Sequence, residues 1–147
     1  MTINEIEINV PPDQVFAVLA DPDLYAEWVV GTDRIRDSDT HWPAPGARIH
    51  HSVGVGPLTI DDSTEVIGAD PPGRLELLAH LGPLGSFHVE LLLVAKSGGT
   101  HVTMTEGPVE GISRLAGPVG DAFGSARNKL SLGRLKELAE RTRAAPG

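Results

Sequence analysis

The chain reads as an α+β fold, a curved antiparallel sheet of about seven strands wrapped on a long C-terminal helix, with two short helices after the first strand. Three observations predict it. Ile6, Ile8 and Val10 alternate with Glu5, Glu7 and Asn9, the pattern of a strand with one wet face. Short alternating segments then recur at regular spacing between Gly/Pro turns as far as residue 106, which describes an antiparallel meander. From residue 111 to about 143 the apolar period becomes helical. A single sheet of this size must bury its inner face, and the last helix is the only large apolar element available to cover it.

The elements follow in order. Pro11 and Pro12 stop the first strand, and Pro12 suits a first helical turn, where its missing N–H is not needed. Val15, Phe16, Val18 and Leu19 make one apolar stripe, and Asp21-Pro22 ends that helix and begins another that reaches Trp28. Strands are expected over 33–39, 48–55, 58–67, 74–81, 86–94 and 101–106. Gly54 and Gly56-Pro57 supply a bend. In the turn Asp70-Pro71-Pro72-Gly73, proline presets the backbone and glycine is expected to accept a positive φ. Ser97-Gly98-Gly99 makes the last turn.

In the helical segment, Ile112, Leu115, Val119, Phe123, Ala126 and Leu130 lie on one stripe, with Leu135 and Leu138 near its end. Arg134, Lys136, Arg141 and Arg143 crowd the last turns, where the helix dipole favours cations. No repeat or linker interrupts the sequence, so residues 1–147 are expected to form a single ligand-binding domain.

Composition narrows the function. With 20 acidic against 12 basic residues and a formal charge of −8, neither nucleic acid nor an anionic membrane is an expected main partner. There is no cysteine, hence no disulfide, thiolate nucleophile or zinc–thiolate site. No apolar run is long enough to span a bilayer. The start Met1-Thr2-Ile3-Asn4-Glu5 has neither the basic segment nor the apolar core of a secretory signal, so a cytoplasmic location is expected. Gly54-Val55-Gly56 lacks the lysine and the strand–helix setting of a phosphate loop, and there is no Gly-x-Ser-x-Gly elbow or dinucleotide-binding βαβ unit. No cofactor is expected.

The order strand, two proline-punctuated helices ending in tryptophan, meander and long helix resembles the START-like (helix-grip, SRPBCC) superfamily, in particular its polyketide cyclase/dehydrase and lipid-transport branch. The resemblance spans nearly the whole chain. It is carried by Asp21-Pro22-Asp23 with Glu27-Trp28, by Asp70-Pro71-Pro72-Gly73-Arg74-Leu75 and by Gly99-Thr100-His101-Val102-Thr103. It implies a fold built around a cavity, and lipids, polyketides or aromatic metabolites as ligands.

Strand parity says which side chains would enter such a cavity. Ile49, His51, Val53 and Val55 share one face, and Arg48, His50 and Ser52 the other. The strand period is two, so His50 and His51 cannot both point inward, and His51 is the inward candidate. Val102, Met104 and Glu106 share a face, leaving His101, Thr103 and Thr105 outside. A carboxylate beneath a sheet needs a partner or takes up a proton. Glu106 therefore hydrogen-bonds a polar ligand group, or works with His51 as an acid–base pair, or lies at the strand end beside Gly107-Pro108 and meets water. Leu75, Leu77, Phe87, Val89 and Leu91 mark the inner face of two further strands. That puts His80, His88, Glu76 and Glu90 outside, as surface residues and not metal ligands.

Gly111, Gly117, Gly120, Gly124 and Gly133, with Pro118, weaken the last helix. Either these small residues leave room for a ligand, with a break at Pro118 forming a lid, or they let the helix approach the sheet closely. Relatives carry the tryptophan corresponding to Trp28 near the pocket mouth, and the resemblance implies the same here; a core anchor is the alternative. Trp42, in the Pro-rich loop, caps the cavity or seals a contact between two copies, so a homodimer stays open.

The leading expectation is thus a protein that binds a small hydrophobic or aromatic molecule between sheet and helix. Its inferred contacts are Trp28, Ile49, His51, Val53, Leu77, Phe87, Val89, Leu91, Met104, Glu106, Val119 and Phe123. One alternative implied by the resemblance is an aromatase/cyclase-type enzyme acting on poly-keto substrates, with His51 and Glu106 as candidate catalytic groups. The other is a co-chaperone-like interaction module, which requires an exposed apolar patch.

Overall fold

The computed structural model describes residues 2–30, 32–55, 58–80, 85–110 and 117–144, with the backbone alone at 32–34, 36, 53–55, 58–62, 110, 117–123 and 142–144. In β1 (Thr2–Ile8) the inner positions Thr2, Asn4, Ile6 and Ile8 alternate with exposed Ile3, Glu5 and Glu7. Helix α1 (Pro12–Leu19) opens on Pro12 and buries Val15, Phe16, Val18 and Leu19. A single 3-10 turn, Pro22–Leu24, follows, capped by Asp21, whose Oδ1 accepts the Asp23 N–H at 3.0 Å. The four-residue α2 (Tyr25–Trp28) then buries both of its aromatic rings.

Strands β2 (Thr32–Ser38), β3 (Arg48–Val55), β4 (Leu58–Asp70), β5 (Arg74–His80), β6 (Ser86–Lys96) and β7 (Gly99–Glu110) join β1 in a seven-stranded antiparallel sheet, ordered β1-β7-β6-β5-β4-β3-β2. Only the β1–β7 pairing departs from sequence order, so α1 and α2 carry the chain from one edge of the sheet to the other. The expected strands are all present, several of them longer at their ends. The extension of β7 to Glu110 matters most, because it moves Glu106 from a strand end to a paired position between Val89 and Thr2.

Two turns show how local sequence sets this register. Ser97 (φ 49°) and Gly98 (φ 81°) form a two-residue β6–β7 loop with both residues in the left-handed region, the conformation that matches strand twist. At Gly99, a Cβ would come within 2.6 Å of the Ile8 carbonyl oxygen, so only glycine lets β7 pass the end of β1. The positive φ expected at Gly73 is absent. Its N–H donates to the Asp70 carbonyl at 2.8 Å, which makes Gly73 the last residue of the turn and not one of the central pair that needs a left-handed residue.

Helix α3 (Gly117–Ala144) packs on β1, α1 and α2. Pro118 lies in its first turn, where proline costs no hydrogen bond. Residues 111–116, expected to be helical, lie outside the described residues, as do the side chains of Val119 and Phe123. The expected stripe through Ala126 and Leu130 is corrected: both are exposed, Leu130 by 61 %. The face toward the sheet carries Asn128, Ser131, Leu132, Leu135 and Ala139, all buried. Asn128 meets Glu106 and Thr2 on the sheet, and Ser131 accepts from the Val30 N–H. Leu132, Leu135 and Ala139 join Ile8, Phe16, Leu19 and Val102 in a continuous apolar core.

Candidate functional site

The inner face divides accordingly. Rows run across the strands in register: Leu77 pairs with Val89 and Val89 with Glu106, while Leu75 pairs with Leu91 and Leu91 with Met104. All six side chains are buried. Phe87 is half-buried on the same side, opposite Ala79. Ile49 and His51 are buried on β3, and the backbone of Val53 continues that strand opposite Ile60, its side chain lying outside the described residues.

Two polar groups are set into this face. The first centres on Tyr25. Trp28 and Trp42 meet its ring edge-on, with centroids 5.8 and 6.3 Å away, and His51 stacks on it at 5.6 Å with 22° between the planes. The Tyr25 hydroxyl and His51 Nε2 each lie 2.9 Å from the Thr64 hydroxyl. Burial pushes the Tyr25 phenol above its ordinary value; the Thr64 hydrogen bond and Arg127 oppose that shift, and Glu106 adds to it.

The second group is built on Glu106. Its Oε2 accepts from Arg127 Nη2 at 2.6 Å and its Oε1 from Asn128 Nδ2 at 3.1 Å. Asn128 Nδ2 also reaches the Thr2 hydroxyl at 3.2 Å, and Asn4 Nδ2 donates to the Ser125 carbonyl at 3.2 Å. Gly124 lies one turn before Asn128, and a Cβ there would stand 3.6 Å from Glu106 Oε1. Glu106 faces inward as parity predicts, but it does not meet water at a strand end: it is 7 % exposed. A buried carboxylate with two donors on helix α3 is a paired anion that fixes the helix to β7.

Trp28 and His51 thus come together around Tyr25, and Glu106 takes separate partners on α3. Trp42 packs inward, edge-on to Tyr25. It is 7 % exposed, and its Nε1 donates to the Leu19 carbonyl at 3.1 Å, within the core. On the outer face His88 Nε2 lies 2.8 Å from Glu76, and Arg74 bridges Asp70, Glu76 and Glu90. Among the described residues no group of three His, Asp or Glu side chains is arranged to hold a metal ion.

The family described as "Polyketide cyclase / dehydrase and lipid transport" matches residues 4–140. The chain belongs to this family. No curated protein matches it. Among solved structures it is similar to protein MLL2253 from Mesorhizobium loti, at 21 % identity and TM-score 0.69 over 95 % of this chain and 96 % of that one. Ara h 8.0201 aligns at 17 % identity and TM-score 0.70 over 97 % of each chain. DynU16, a putative protein in the dynemicin biosynthetic locus, aligns at 21 % identity and TM-score 0.70 over 95 % of this chain and 46 % of that one. At these identities the likeness establishes the helix-grip fold.

Sequence reasoning missed Thr64, Arg127 and Asn128. Thr64 shares strand parity with buried Val66, a signal that was available. Counting back from Leu135 and Leu132 by helical steps reaches Asn128 and Gly124, but polar and small residues do not announce themselves as an inner face.

Proposed function

We propose that this protein binds a small hydrophobic or aromatic molecule, lipid- or polyketide-like, between the inner face of the sheet and the first half of α3. The observation that carries this reading is the number of polar groups buried in the interior. A buried polar group costs about 1–3 kcal/mol if left unbonded, so a core serving stability alone is better built from apolar side chains. Here Tyr25, His51, Thr64, Glu106 and Asn128 are buried beside Leu77 and Val89. This is the mix of apolar wall and few polar groups that orients a bound molecule. No cofactor is invoked.

A cyclase reading requires His51 and Glu106 to act on one substrate, whereas the two take separate partners, Thr64 for His51 and Arg127 with Asn128 for Glu106. Binding does not require the two groups to converge. An interaction module is disfavoured because outward apolar residues such as Leu92 are flanked across the strands by Arg74 and Thr103.

Native mass spectrometry of the purified protein, followed by titration with a polarity-sensitive dye read through Trp28 and Trp42, tests the proposal. A retained small molecule or saturable dye uptake is expected. A bare protein that takes up no dye would remove it.

A further inference from the structure

The geometry points to the Tyr25 hydroxyl as a specificity-determining donor that holds a ketone oxygen of the bound molecule, with Thr64 and His51 positioning it from behind. This rests on the binding reading above and names the chemistry that site selects.

The Thr64 hydroxyl has one hydrogen and lies 2.9 Å from both the Tyr25 oxygen and His51 Nε2. It can donate to only one of them. When Nε2 carries a proton, His51 donates to Thr64, Thr64 donates to the Tyr25 oxygen, and the phenolic hydrogen is free for another acceptor. When Nε2 is bare, the chain runs the other way and Thr64 consumes that hydrogen. The His51 tautomer therefore decides whether the phenol offers a hydrogen or a lone pair.

A ketone oxygen, which only accepts, selects the first arrangement. A hydrocarbon or an acyl tail gains nothing from either. Burial keeps the phenol protonated, so it acts as a neutral donor and not as a phenolate. His51 stacked on Tyr25 and the edge-on Trp28 and Trp42 limit rotation of the phenol ring, so its hydroxyl is held in one direction.

The test uses a matched pair, 1-tetralone and tetralin, which share a ring skeleton and differ by one carbonyl group. Wild-type protein is expected to bind 1-tetralone about tenfold more tightly, the effect of one well-made hydrogen bond. The carbonyl stretch of 13C-labelled 1-tetralone is expected to move to lower frequency on binding. Tyr25→Phe should bind the two compounds within about twofold and lose the band shift. Thr64→Val, which keeps the phenol but releases it from its chain, should give a weaker and broader shift.

Equal binding of the pair by wild-type protein, or an unshifted band, overturns the assignment whether or not the variants fold. A folded Tyr25→Phe that keeps both preference and shift overturns it for Tyr25 while leaving interior binding standing. Wild-type protein that takes up neither compound but retains the dye also sinks the ketone assignment alone. Uptake of nothing at all removes the binding reading with it.

Discussion

Glu106 of β7 and Asn128 of α3 meet at 3.1 Å through Oε1 and Nδ2, and Arg127, the next residue along the helix, closes on Oε2 at 2.6 Å. The long terminal helix is thus tied to the centre of three paired strands by charge as well as by apolar packing. The two ends of the ion pair are unequal: the Glu106 side chain is 8 % exposed and that of Arg127 is 27 % exposed.

That inequality sets the order of two substitutions. Arg127→Met leaves a buried carboxylate with Asn128 alone and is expected to destabilise by about 3 kcal/mol. Glu106→Gln leaves a guanidinium that can turn toward water, and about 1–2 kcal/mol is expected. Urea unfolding of both variants checks the order. If Glu106→Gln proves the more damaging, the carboxylate is not the buried partner that matters.

The inner face of α3 makes a second prediction. Leu135 is fully buried and Leu130 is 61 % exposed, although both are leucines on the same helix. Leu135→Ala should cost about 2–5 kcal/mol through lost burial and a residual cavity. Leu130→Ala should stay within about 0.5 kcal/mol of wild type. Thermal or urea unfolding distinguishes them, and similar losses would restore the stripe that apolar residues alone suggest.

Those two leucines also mark where the sequence is legible and where it is not. Strand parity assigns His51 and Glu106 to the interior and His88 to the surface correctly, because a period of two leaves no intermediate choice. The helix period leaves more freedom. An apolar stripe through Phe123, Ala126 and Leu130 looks better than one through Gly124, Asn128 and Ser131 until the sheet's own polar groups are known. Asn128 and Ser131 face inward because Glu106, Thr2 and the Val30 N–H are there to bond them. Partners more than 100 residues away in the chain, such as Thr2 for Asn128, are written in neither local propensity nor periodicity. The His51–Thr64–Tyr25 chain is hidden likewise: parity singles out His51, but neither period nor composition shows that Thr64 and Tyr25 bond in line with it.

On the outer face, His101 bonds Glu7 through Nδ1 and Glu5 through Nε2, the latter at 3.1 Å. The hydrogen bond to Glu7, then that to Glu5, raises the imidazole above its ordinary value of 6.5. The same contact with His101 lowers Glu7 below its ordinary 4.5. The raised histidine stabilises the fold fully below 6.5 and loses that contribution as pH rises through its folded value. The lowered carboxylate contributes above 4.5 and loses its part as pH falls through its folded value. The pair is therefore most effective between about pH 4.5 and 6.5. His101→Gln should lower the urea midpoint relative to wild type in that window, with the gap closing in mildly alkaline buffer. A gap that widens with rising pH would mean the imidazole stabilises in its neutral form.

Gly124 separates the two readings of the helix glycines. If glycine is there to let α3 approach the sheet, a methyl group at this position must clash. Among the described residues the nearest atoms to such a methyl are Glu106 Oε1 at 3.6 Å and Thr2 Cγ2 at 3.8 Å, which is ordinary contact. Gly124→Ala should therefore fold, and the alanine should add about 0.5–1 kcal/mol of helix stability. Gly133→Ala, where no atom of the described residues lies within 4 Å of the added methyl beyond the helix's own backbone, is the control for that propensity gain. The two variants should differ in binding. A methyl group beside Glu106 takes space from the proposed ligand, so Gly124→Ala should weaken dye or tetralone uptake several-fold while Gly133→Ala leaves it unchanged. Equal stabilisation with equal uptake in both variants would show that the ligand does not reach this part of the helix. A loss of stability confined to Gly124→Ala would show that close packing is what the glycine provides.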